Sequence, residues 1–256
     1  MDIDSNEIIV YTCLTGDYEI PIPQSNFENE VSYLFFTDNK NLVPTGWKFM
    51  PIEGLDDLTN KDKNRLIKIK PEKFLPNHKV SIYIDSNIEI KKNISSLIKS
   101  LDFKKNSIFM YEHFSRDCIY KEAEAVVSQG RASFFDTKKQ IARYKEEKLP
   151  NNLGLFEANV IIRSNVAEQL ELMEFWWKEY FSGSKRDQIS LIYSSYKKNI
   201  PIKSIGVAKI KRNKQKDLIV DKDYFVLDVS KRVRKEGVLK YTYILLNRIL
   251  LMVFKI

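Results

Sequence analysis

The stretch that most constrains this chain is Val80–Ile90, VSIYIDSNIEI. Its first five residues are mostly β-branched or aromatic, the composition of a strand covered on both faces. Asp85 stands at the carboxyl end of that strand, where an open α/β sheet presents its ligand groups. Asp85 and Asn87 are two positions apart, so in an extended segment they project to one side. Two oxygen donors on one side suit a hard divalent cation such as Mg²⁺ or Mn²⁺. Asp-Ser-Asn also suits a plain polar turn, and these residues taken alone favour the turn.

Other segments place a sheet around this strand. Glu7–Thr15 and Val31–Thr37 read as strands, with a short third at Trp47–Pro51. Gly16-Asp17 is a turn signal after the first. The lysine-rich run Asn60–Leu75 is expected to be partly helical, with Pro71 opening a new turn. Asn93–Leu101 follows the helical period, Ser107–Tyr111 reads as a strand, and Cys118–Tyr144 is helical with a break near Gly130. A strand is expected at Val160–Ile162. Helices are expected at Val166–Phe181, with Trp176 and Trp177 in the core, and at Ile189–Tyr196. Strands alternating with helices to about residue 200 predict an α/β fold with a mainly parallel sheet.

At 256 residues the chain can bury one substantial core. The acidic start, MDIDSNEIIV, has no basic region before its apolar run, which argues against a signal peptide and for a cytoplasmic protein. Cys13 and Cys118 are too few for a disulfide framework or a cysteine-built zinc site and read as buried thiols. From Lys203 onward, 14 Lys/Arg stand against 5 Asp/Glu, a net of +9, whereas the whole chain carries +8. The body, residues 1–202, is therefore balanced, and the expected extension, 203–256, holds the excess. Its basic clusters are Lys209, Lys211, Arg212, Lys214 and Lys216, then Lys231, Arg232, Arg234 and Lys235. The apolar stretch Val238–Ile256 follows. Such a tail suits peripheral binding at the inner face of an anionic membrane, or packing on the body of the chain or on a partner subunit. Nucleic acid is not expected, because the charge is confined to the tail and no nucleic-acid-binding signature accompanies it.

Several blocks together resemble one family. Arg65–Asn87 is similar to the helix–loop–strand block of nucleotide-sugar glycosyltransferases with the GT-A fold, including family-eight enzymes, whose strand ends in Asp-X-Asp. Here Asp85-Ser86-Asn87 replaces the second carboxylate by an amide, which neutralises less of a cation's charge. GLFEANVIIR resembles the segment that forms the sugar-binding floor in the family-eight enzymes, while YTCLTGDY, FFTDN, GW, IYIDSN, EHFSRDCIYKEAE and RDQISLIY more closely resemble a bacterial and plant family of glycosyltransferase-like domains, whose plant members are linked to wall polysaccharides. The resemblance covers roughly residues 7–200.

The resemblance implies transfer of a sugar from a nucleotide sugar to a surface polysaccharide or glycolipid, such as capsule, O-antigen or lipooligosaccharide, with glycan or lipid-linked glycan as acceptor. By analogy it favours retention of configuration. It implies Asp85, Asn87 and His113 at a Mn²⁺ or Mg²⁺ ion, His113 being equally suited to phosphate or sugar. Thr12, Thr15 and Asp38 would contact base or ribose; Arg65, Lys68 and Arg116 would contact the donor. Glu157 and Asn159 would bind sugar hydroxyls. Asp187 and Glu157 are the expected catalytic carboxylates, Asp187 orienting the donor or activating the acceptor unless it only caps a helix. Because the Asp-X-Asp is incomplete, a domain that binds the donor without turnover is the rival.

Overall fold

The computed structural model describes residues 3–4, 7–16, 18–212, 218–231, 238–254 and 256. Asp17, Lys214, Lys216, Arg232, Arg234 and Lys235, singled out above, lie outside the described residues. Seven strands form the main sheet: β1 (Ile8–Leu14), β2 (Ser32–Thr37), β3 (Lys48–Pro51), β4 (Val80–Ile84), β6 (Ile108–Glu112), β7 (Phe156–Ser164) and β8 (Lys203–Val207). Their order is β3-β2-β1-β4-β7-β6-β8. All residues of β1 and β4 are buried, as their unbroken apolar runs require at the middle of a covered sheet. The α/β architecture is the expected one.

One strand departs from the parallel pattern. β7 runs antiparallel to both β4 and β6. It is also longer than the expected Val160–Ile162, so Glu157 and Asn159 lie on the strand itself. Antiparallel strands need no helical crossover between them, and no periodicity within β7 could announce its direction.

Alternate residues of β1 feed two cores. Ile9, Tyr11 and Cys13 face one side of the sheet, Ile8, Val10 and Leu14 the other. The first side carries α1 (Asn60–Ile69), α3 (Ile119–Ser128), α4 (Phe134–Glu146), α5 (Ala167–Ser182) and α6 (Asp187–Lys198). Thr59 caps α1 by accepting from Asp62 N. The carboxyl end of α1 is held by the buried Arg163 of β7, which donates to Lys68 O at 2.8 Å, a cation where the helix dipole is negative. Helix α2 (Ile94–Ser100) contributes Ile94, Leu97 and Ile98 to the second core.

The residues from Lys203 are not a separate extension. β8 pairs in parallel with β6 at the edge of the main sheet. A second sheet joins β5 (Ile88–Ile90), β11 (Phe225–Asp228), β10 (Leu218–Asp221) and β9 (Lys209–Arg212), all antiparallel. Since β5 starts just after Asn87, this hairpin docks directly beside the Asp-Ser-Asn segment. Helix α7 (Val238–Phe254) packs on α3 and α4. Gly130 (φ +64°) makes that approach possible: a Cβ there would lie 2.5 Å from Ile244 Cγ1.

Candidate active site

β4 ends at Asp85, and the parity of the strand decides where its side chain goes. Ile82 and Ile84 face the second core while Tyr83 faces the first, so Asp85 turns to the side of α1 and α6. Tyr83 OH donates to Asp85 Oδ1 at 3.0 Å, and Lys68 Nζ lies 3.9 Å from the same oxygen. Lys68 and Arg65 sit three apart on α1, hence on one face. Both reach Asp187, the first residue of α6: Lys68 Nζ at 2.9 Å and Arg65 Nε at 3.0 Å. Trp176 Nε1 donates to Asp187 O at 3.0 Å and fixes the start of that helix. Burial alone would push the Asp187 carboxyl up, but Lys68, Arg65 and Arg186 outweigh it and hold the group ionised far below the usual carboxylate range.

A cleft of about 400 Å³ opens over this pair. Arg65, Lys68, Asp85 and Asp187 line it, with His113, Arg116, Arg131, Glu157, Asn159 and Arg186 around them. Val220 and Leu227 of the second sheet, with Val229 just after it, form an apolar wall. Lys222, between β10 and β11, is fully buried and pairs with Glu157, donating also to Asn159 Oδ1 at 2.8 Å over the Tyr111 ring. The Lys61 ammonium is pushed down to about 8, first by desolvation from the surrounding protein and then by Arg186 and Arg65. Arg65, Lys68, Arg116, Arg131 and Arg186 gather positive charge along the cleft, which suits an anion.

The expected cation ligands do not assemble into one set. Ile88 N donates to Asp85 O at 3.0 Å, so the chain turns at Ser86-Asn87 and the extended geometry that would align Asp85 with Asn87 is absent. Asn87 is fully buried, its Nδ2 donating to Asp228 O at 3.3 Å, and it does not line the cleft. Its Oδ1 has no hydrogen-bond partner, yet it is a neutral oxygen apart from Asp85. His113 Nε2 lies 2.9 Å from Arg116 Nη2, and its Nδ1 faces the backbone N–H groups of Ser115 and Arg116. Burial first and Arg116 second push His113 down to about 4. Its Nε2 thus faces the Arg116 guanidinium. One carboxylate beside a lysine is a poor divalent site, and among the described residues no group of three His, Cys, Asp or Glu could hold a metal.

Three other expected residues lie elsewhere. Thr15 Oγ1 donates to Asn60 O at 2.6 Å and Asp38 accepts from Gly16 N, so both tie the end of β1 to its neighbours. Thr12 is buried in β1. None of the three lines this cleft. Arg116 does, and pairs with Glu122, whose carboxyl is raised by burial against the lowering effect of Arg116. Sequence reasoning missed Lys222, Arg131 and Arg186. Arg186 adjoins the Asp-Gln block and was open to recognition; Lys222 read only as one tail cation among many.

The strand ends of a mostly parallel α/β sheet thus converge on a cleft lined by cations and carboxylates. The chain belongs to the TOD1/MUCI70, glycosyltransferase-like domain family, whose match spans residues 2–223. It is similar to a probable hexosyltransferase, MUCI70, of Arabidopsis thaliana, 25% identical over 153 residues. That similarity covers 56% of this chain and 26% of the plant protein, so the chain spans well under half of that relative's length. Among solved structures it is similar to the apo form of mouse xyloside xylosyltransferase 1, with a TM-score of 0.44 and 11% identity over 77% of this chain and 84% of that one.

Proposed function

We propose that this chain transfers a glycosyl group from a nucleoside-diphosphate sugar to a glycan or lipid-linked glycan of a surface polysaccharide or glycolipid. The observation that carries the proposal is Asp187, buried and held ionised between Arg65 and Lys68 at the base of the cleft. A carboxylate held so far below its usual range is a weak proton acceptor. Asp187 therefore serves to orient: it fixes the cations and offers its charge to a sugar hydroxyl or to the electron-poor anomeric centre. Glu157 and Asn159, positioned by Lys222, suit the remaining hydroxyls.

As the glycosidic bond breaks, negative charge develops on the departing diphosphate. The side chains that meet it are Arg65, Arg116, Arg131 and Arg186 at the mouth of the cleft, with Lys68 behind them. Mn²⁺ or Mg²⁺, expected from the resemblance, would meet Asp85 beside Lys68, with Glu157 and Asp187 already paired to cations, so we derive no step through a metal.

Incubation with a panel of nucleotide sugars, with and without glycan acceptors, tests the proposal by release of nucleoside diphosphate. Acceptor-stimulated release that Asp85→Ala abolishes supports it. Tight donor binding with no release under any acceptor would leave a binding domain instead.

A further inference from the structure

Helix α7 is held to the domain along one stripe. Ile244 covers Gly130, Asn247 lies buried with its amide 3.5 Å from Ala132 O, Leu251 packs on the first core, and the Phe254 ring meets Phe134. These positions repeat every three or four residues, as one helix face must. The face turned away is also apolar. Leu245, Ile249 and Met252 share it and are 59%, 48% and 78% exposed, and Val253 beside them is 65% exposed. Single exposed apolar residues are ordinary, but a contiguous band of them marks a docking surface.

Length and charge identify what covers it. The 17 residues of α7 rise about 25 Å at 1.5 Å each, short of the roughly 30 Å hydrocarbon core of a bilayer. Among the described residues no helix is long and apolar enough to cross a membrane. A helix lying in the plane of a surface meets no such limit. Residues 238–256 contain Lys240, Arg248 and Lys255 and no Asp or Glu, with Arg248 turned inward to donate from Nε to Ser128 O at 3.1 Å. Lys138 and Lys145 add charge at the far end, donating to Phe254 O and Ile256 O at 2.9 and 3.0 Å. A second copy docked through the same face would set cations against a helix with no acid to receive them. Anionic lipid headgroups complement them, and acyl chains accept the apolar band.

We infer that α7 docks the domain, in plane, on an anionic lipid surface, with Leu245, Ile249, Met252 and Val253 entering the headgroup boundary. This does not depend on the transfer chemistry, so each can fail without the other. The test is flotation of the full chain with phosphatidylcholine vesicles and with vesicles containing phosphatidylglycerol. Leu245→Gln/Ile249→Gln/Met252→Gln is the variant, since all three side chains leave the packed stripe untouched. The expected result is flotation with anionic vesicles that weakens as salt rises and falls at least tenfold in the variant at an unchanged melting temperature. If the triple variant melts early, Ile249→Gln alone replaces it, with a reduction of a few-fold expected. No flotation by the full chain, or equal flotation by a folded variant, overturns the inference. So does a dimer that the variant dissolves in a protein indifferent to vesicles, which would make a second copy the occupant.

Discussion

Lys68 Nζ and Asp187 Oδ2 meet at 2.9 Å in the interior although 119 residues separate them in the chain. The contact joins α1, the helix before the central strand, to the first residue of α6, and it brings Arg65 and Asp85 into the same cluster. Everything proposed for the cleft depends on this junction.

Asp187→Asn is therefore expected to unfold the protein more easily, by about 3 kcal/mol, because it leaves the buried Lys68 and the half-buried Arg65 short of their counter-charge. A carboxylate that only capped a helix would lose a few tenths of a kcal/mol on the same change. Urea denaturation separates the two, and donor turnover measured on the folded fraction should fall by at least tenfold.

Asp85→Asn should do the opposite. The side chain is 22% exposed in the cleft, and an amide oxygen can still accept from Tyr83. Stability is expected to shift by less than about 1 kcal/mol while nucleotide-sugar turnover is lost. A large fall in melting temperature with turnover intact would remove Asp85 from the reacting site.

Binding of the free nucleoside diphosphate is expected to survive thorough chelation, since side-chain cations surround the site and the metal ligands do not converge. Arg186→Gln should weaken that binding about tenfold, the worth of one hydrogen bond to a charged group. Calorimetry with uridine diphosphate, in EDTA and in Mn²⁺, reads both effects. A strong gain in affinity with Mn²⁺ would restore Asp85 to a metal site completed by the phosphates.

Lys222→Met should cost about 3 kcal/mol by leaving Glu157 buried and unpaired, and Lys222→Arg should recover part of it. The loss is to be measured by denaturation. The residue is buried with no exposed side-chain surface, so solvent screening does little to soften it.

His113 gives stability a pH dependence of known sign. Its folded value is pushed down to about 4 against an ordinary 6.5, so between those limits the unfolded chain binds a proton that the folded chain does not. Stability contributed by neutral His113 is full above about 6.5 and declines as pH falls toward 4, by on the order of 2 kcal/mol. Asp187 acts in the same direction only below about 3.9, where unfolded carboxylates protonate. Denaturation at pH 4.5 and 7 should show the slope in the parent and a flatter one in His113→Gln.

What the sequence determined by itself is the class of fold and most of the elements up to about residue 200. Ile8–Leu14 and Val80–Ile84 could be nothing but covered strands, and the helical periods of α5 and α6 were equally legible, because burial on a repeating face is written in composition and spacing. Asp85, Glu157 and Asp187, singled out from the sequence blocks around them, line one cleft. Tertiary structure alone decided how these parts meet. The turn at Ser86-Asn87 parted Asp85 from Asn87, since a single backbone hydrogen bond ends the alternation on which their alignment depended. The direction of β7 and the docking of the 203–228 strands were equally hidden, because pairing is a choice among partners distant in the chain. That choice put Lys222 beneath Glu157. Ion pairs across 65 and 119 residues have no local pattern, and only the packed chain shows which charges face a ligand and which neutralise one another.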